Sequence, residues 1–107
     1  MINAQILLDS EGILKSCTIS GHAGLALAGR DVVCAAVSVL ARTAAAVFQS
    51  KNGISVKIAA PKRGEFALDV HRGDEDRGFV EAAGGFLIEG LKSIAAEYPD
   101  HCMVTIR

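Results

Sequence analysis

The sequence has no tryptophan, one tyrosine and four phenylalanines, so aromatic residues make up 5% of its 107 positions. A protein that stacks bases on side-chain rings needs more, and the poverty of aromatics argues against a stacking platform for nucleic acid. Excess charge of either sign is also missing: eleven Lys and Arg stand against twelve Asp and Glu, a formal net charge of −1. A binder held by phosphate contacts would be strongly basic, so direct nucleic-acid binding is not expected. Three cysteines cannot all pair within one chain, which argues against a secreted disulfide framework. Neither Cys-x-x-Cys nor His-x-x-x-His spacing occurs, and no Gly-x-Gly-x-x-Gly run does, so no zinc and no dinucleotide cofactor is implied.

Long apolar runs are lacking too. The longest, residues 32–48, is broken by Ser38, Arg42 and Thr43 and is rich in alanine. A spanning helix needs about 20 predominantly apolar residues, so this segment reads as a packed helix of a soluble domain, with no membrane expected. Residues 1–9 carry no basic leader before the acid at Asp9. The expected compartment is a reducing cytoplasm.

What is present is half hydrophobic, at 21% charged residues, which suits one folded domain over 1–107. Residues 2–8 are apolar on both faces, 9–12 have the composition of a turn, and 13–20 alternate. Ile13, Cys17 and Ile19 fall on one face, and Leu14, Ser16, Thr18 and Ser20 on the other. This predicts a β-hairpin. From Val32 the period becomes helical, with Asp31 as N-cap, a stripe of Val33, Val37, Leu40, Ala44, Val47 and Phe48, and a stop at Asn52-Gly53. Six alanines in that helix favour helix and close packing.

Residues 54–60 and 65–71 form a second alternating pair about Pro61-Lys62-Arg63-Gly64. The polar cluster 72–76 opens a second helix with Phe79, Ala82, Ala83, Phe86, Leu91, Ile94 and Tyr98 as its stripe, ended by Pro99. Gly84, Gly85 and Gly90 inside it cost helix propensity, at about 1 kcal/mol each, and so mark close approach to a neighbour. A short strand over 102–106 completes a ββαββαβ order. The predicted class is α+β, a largely antiparallel sheet with two packed helices.

Chemistry concentrates in residues 21–34. A glycine-flanked histidine, His22, stands on a small-residue loop (residues 21–29), and Cys34 follows in the first turn of the helix. With Asp31 as N-cap, Cys34 is the third helical residue, where backbone N–H groups favour thiolate over thiol. A histidine within reach would stabilise the thiolate and later protonate a leaving group. The charge of Asp31 partly opposes this, and Arg30 would offset it. Ser38, one turn on and on the same face, either orients the dyad or bonds the carbonyl one turn back. On pattern alone the favoured reading of Cys34 is a small buried hydrophobe, with the nucleophile as the minority alternative. Cys17 reads as core, His71 as a solvated strand end, and His101 and Cys102 as strand neighbours whose side chains diverge.

The runs Gly21-His22-Ala23-Gly24 and Gly29-Arg30-Asp31-Val32-Val33-Cys34-Ala35-Ala36-Val37-Ser38 resemble the signature of the ribosomal-processing cysteine proteases, the Prp family. Gly90-Leu91-Lys92-Ser93-Ile94-Ala95-Ala96-Glu97-Tyr98-Pro99 is similar to that family's second-helix signature. The resemblance implies a cytoplasmic, homodimeric bacterial endopeptidase. Such enzymes remove a short N-terminal extension from a large-subunit ribosomal protein, the L-twenty-seven protein. By position it implies Cys34 as nucleophile, His22 as general base and acid, Asp31 and Ser38 as supporting residues, and Gly21 as the hinge of a loop over the substrate. N–H groups at the helix start would then stabilise the oxyanion. Two other readings stand beside it: a noncatalytic module that binds a ribosomal or assembly partner, and a different thiol chemistry at the same site. A catalytic Cys34 must open on a groove wide enough for an extended peptide, and that separates the first two.

Overall fold

The computed structural model describes residues 1–24 and 31–107. The expectations for residues 25–29 of the small-residue loop and for Arg30 lie outside the described residues. Strands β1 (Ile2–Leu8) and β2 (Leu14–Ser20) form the first hairpin, followed by helix α1 (Val32–Gln49). Strands β3 (Ser55–Ala59) and β4 (Glu65–His71) form the second hairpin. A single 3₁₀ turn, Asp74–Asp76, leads into helix α2 (Arg77–Glu97), and β5 (Cys102–Ile106) closes the chain. The five strands lie in the order β3-β4-β2-β1-β5, antiparallel except for the β1–β5 pair. The α+β class and the element order are those the sequence predicts.

Both helices pack on the sheet and on each other. Alternation decides which sheet face they cover. Ile6 pairs Cys17, Cys17 pairs Leu68, and Leu68 pairs Ile58, so one row of apolar side chains crosses the four strands at a single level. Phe48 at the end of α1 is fully buried, and truncating such a ring to alanine typically costs about 3–5 kcal/mol.

Three expectations about faces are corrected. Leu14 is buried rather than on the polar face of β2. The pairing steps from Leu7↔Ser16 to Leu8↔Leu14, so Lys15 is an extra residue whose insertion reverses the alternation below it. In α1, the buried residues are Val33, Val37, Ala41, Ala44, Ala45 and Phe48, and Val47 is exposed. In α2, Val80, Gly84, Leu87 and Leu91 are buried, while Phe86 is 74% exposed. Both helices meet a sheet and another helix at once, so the apolar stripe alone does not fix their rotation.

The α2 glycines divide by contact. A Cβ on Gly84 would stand 2.7 Å from Leu14 Cβ, and one on Gly90 would stand 2.8 Å from Leu40 Cδ1. These two mark close approach, as expected. Gly85 faces open space. Helix α1 has the length and hydropathy of a membrane span. In the fold its inward side nevertheless supplies six core residues.

Candidate active site

The site begins with the start of α1. Asp31 has extended backbone and is the N-cap, its Oδ1 accepting from the Val33 N–H at 2.9 Å and the Cys34 N–H at 3.1 Å. Its backbone carbonyl accepts from the Ala35 N–H at 3.0 Å. Asp31 is itself 5% exposed. Cys34 is therefore the third helical residue, as the sequence predicts, and it is half-buried.

The cap corrects one expectation. The N–H groups of Val33, Cys34 and Ala35 are engaged by Asp31, so they are not open donors for an oxyanion. The donor that reaches the sulfur comes from the preceding loop: the Ala23 N–H donates to Cys34 Sγ at 3.4 Å. Residue 23 carries no side-chain function, so sequence inspection had no signal for its amide.

His22 comes to the same place from the end of β2. Gly21 has φ +93°, donates its N–H to the Gly64 carbonyl at 2.9 Å, and abuts the Met1 carbonyl where any Cβ would stand. Glycine is required there on both counts. The His22 ring, exposed, lies over Gly64 in the β3–β4 turn; a Cβ on Gly64 would stand 2.7 Å from His22 Cε1. Gly64 has φ +83° and reads from sequence as a turn residue only. Among the described residues His22 and Cys34 share no hydrogen bond.

A groove of about 860 Å³ takes in His22, Cys34, Gly21, Asp31 and Ser38, the five site residues that the sequence singles out. One wall is α1, through Ala35, Ser38, Arg42, Ala46 and Gln49; Ile58 and Phe66 come from the strands opposite. At 1.5 Å per residue, positions 35–49 run about 21 Å, the length of about six residues of extended peptide. The small side chains of Ala41 and Ala45, which also line it, keep the groove deep. The alanine richness of α1 thus serves the groove as much as the helix.

The other cysteines are set apart by burial. Cys17 is fully enclosed and burial pushes its thiol up to about 12; burial also raises that of Cys102. All three thiols are free. His71 is exposed at the end of β4. His101 lies in the turn before β5 rather than on the strand, and its Nδ1 is 2.8 Å from the Ala23 carbonyl. That contact spans 78 positions of sequence, which is why reading along the chain misses it. Among the described residues no cluster of His, Cys, Asp or Glu could hold a metal ion.

The chain matches the family described as cysteine protease Prp over residues 1–103. Comparison with curated proteins gave no match. Among solved structures it is similar to an essential ribosomal processing protease Prp from S. aureus bound to a covalently linked product peptide. That likeness has a TM-score of 0.89 at 20% identity and covers 100% of both chains. The same protease with a substrate peptide gives a TM-score of 0.82 at 19% identity, again over 100% of both chains. A Streptococcus mutans protein gives a TM-score of 0.79 at 25% identity, covering 99% of this chain and 93% of the other.

Proposed function

The chain belongs to the cysteine protease Prp family and is a cysteine peptidase, and from that premise we propose that Cys34 and His22 remove a short N-terminal extension from the bacterial L-twenty-seven ribosomal protein. The observation that carries this is the setting of Cys34. A half-buried thiol at a helix N-terminus opens on a helix-long groove that His22 also lines. An enclosed Cys34 would have removed the support for the protease reading, and Cys34 is not enclosed. A thiol-redox role would want a resolving cysteine, and Cys17 and Cys102 are both buried.

In the proposed reaction the Cys34 thiolate adds to the scissile carbonyl, forming a C–S bond and an oxyanion. His22 gives a proton to the departing amine as the C–N bond breaks, leaving an acyl-enzyme. Water, deprotonated by His22, then releases the carboxylate and regenerates the thiol. His22 rests against Gly64 and shares no hydrogen bond with Cys34, so the reaction needs it to come onto the sulfur when peptide fills the groove. Asp31 builds the helix start that presents Cys34, and Ser38 stands on the groove wall one turn further. The solved relative with a covalently linked product peptide supports covalent chemistry for the family.

The proposal includes a homodimer in the cytoplasm, as the family resemblance implies. Three free thiols suit a reducing compartment. The test incubates the protein with a peptide spanning the extended N-terminus of the ribosomal protein. Cleavage at one bond is expected, abolished by Cys34→Ala and strongly reduced by His22→Ala. Cleavage that survives Cys34→Ala, or no cleavage by the wild-type protein, overturns the reading. Light scattering checks the dimer.

A further inference from the structure

We infer that His101 is a positioning residue for the thiol site, holding the Ala23 peptide so that its N–H stays on Cys34 Sγ. The inference rests on Cys34 as nucleophile and adds a residue that the family signature quoted above does not contain.

A carbonyl oxygen only accepts, so the 2.8 Å contact between His101 Nδ1 and the Ala23 carbonyl requires a proton on Nδ1. The neutral Nδ1–H tautomer supplies it, and so does the imidazolium. Ala23 thus bonds at both ends: its carbonyl accepts from His101, and its N–H donates to Cys34 Sγ. Its methyl is buried, so the residue has little room to shift. The anchor is itself fixed. The His101 N–H donates to the Tyr98 carbonyl at 3.0 Å, and the His101 carbonyl accepts from the Ile2 N–H at 2.9 Å. The imidazole is therefore mounted where α2 ends and the parallel β1–β5 pair begins.

The consequence is mechanical. Asp31 engages the N–H groups of Val33 and Cys34, and among the described residues the Ala23 amide is the N–H that bonds the sulfur. Losing the imidazole would leave the Ala23 carbonyl unpaired and free the peptide that carries this donor. Ala23 also directly follows His22, so the same bond limits how far the histidine's backbone can wander. A misplacement of about 1 Å at such a site is enough to cost up to about a hundredfold in rate.

The test compares His101→Leu, which removes the donor, with His101→Asn, whose Nδ2–H takes the place of Nδ1–H. The first readout is alkylation by iodoacetamide, resolved by residue in a mass spectrometer. Buried Cys17 serves as an internal control for loosening of the fold. His101→Leu should slow labelling of Cys34 severalfold while Cys17 stays unlabelled, and His101→Asn should recover most of the rate. The second readout is peptide cleavage: kcat falls about tenfold in His101→Leu with KM nearly unchanged, since the groove walls are untouched. Unchanged Cys34 labelling in His101→Leu overturns the inference whatever happens to turnover. Labelling of Cys17 in step with Cys34 also overturns it, by showing a merely structural role, and so does a failure of His101→Asn to recover. Alkylation needs no substrate, so a wild-type protein that fails to cut the peptide would sink the protease reading without touching this one.

Discussion

Gly64 shows how closely one residue can tie conformation to chemistry. Its φ of +83° strains any L side chain, and a Cβ there would stand 2.7 Å from His22 Cε1. The ring is the movable partner, so Gly64→Ala should cost only about 1 kcal/mol of stability, mostly from the backbone. Peptide cleavage should fall by about tenfold or more, because the histidine is pushed off its rest. Urea unfolding beside a cleavage assay separates the two effects. Asp31 works through the opposite balance. Asp31→Ala removes the acceptor of two helix-start N–H groups and should lower stability by about 1 kcal/mol, whereas Asp31→Asn should lose only a few tenths. Thermal unfolding of the two variants checks this. Cys34, Asp31, His22, Gly21 and Ser38, which line one groove, stand out in the chain because the chemistry proposed for each lies in its own side chain or backbone freedom. Ala23, Gly64 and His101 are not legible, because their roles arise from what the fold sets against them.

At the scale of elements, glycine again separates pattern from contact. Gly84 and Gly85 are adjacent in α2 and alike in sequence, yet one faces Leu14 Cβ and the other open space. Gly84→Ala should lever α2 off β2 and destabilise by about 1–3 kcal/mol, as overpacking does. Gly85→Ala should stabilise by about 0.5–1 kcal/mol through helix propensity alone. Opposite signs in chemical denaturation are the expected outcome, and equal signs would mean α2 is rotated from the position described. The strands were readable almost to the residue, since period-two alternation directly encodes which face is buried. Leu14 departs from it because a bulge at Lys15 is a property of pairing with β1, and no local pattern announces it. The helix faces were less readable: Phe86 looks like core and stands exposed, while Val80 and Leu87 carry the contact.

Over the whole molecule, the two hairpins and α2 are tied at one corner by charge. Arg72, at the end of β4, meets Asp9 at 3.1 Å, Glu11 at 3.7 Å and Asp74 at 4.0 Å, and Glu11 also pairs with Arg77. The Asp9 carboxyl is held below its usual range first by the Ile13 N–H, with the Glu11 N–H and the Arg72 guanidinium adding to the effect. A carboxyl lowered in the folded state stabilises the fold above its unfolded pKa of about 3.9, and that contribution is lost as pH falls through the lower folded value. Thermal midpoints should therefore drop on acidification below about pH 4, and Asp9→Asn should flatten that dependence. A variant with the wild-type acid profile would assign the loss to other carboxyls. Read from the chain alone, composition, alternation, the capped helix and the signature residues were enough for the class, the element order and the family, since each is carried by residues close together in sequence. Tertiary structure alone decided the rotation of the helices and the depth of the groove. It alone also set the bond from His101 to a peptide 78 positions away. These depend on which surfaces meet across the core, and pairwise contact at long separation leaves no periodic trace in the chain.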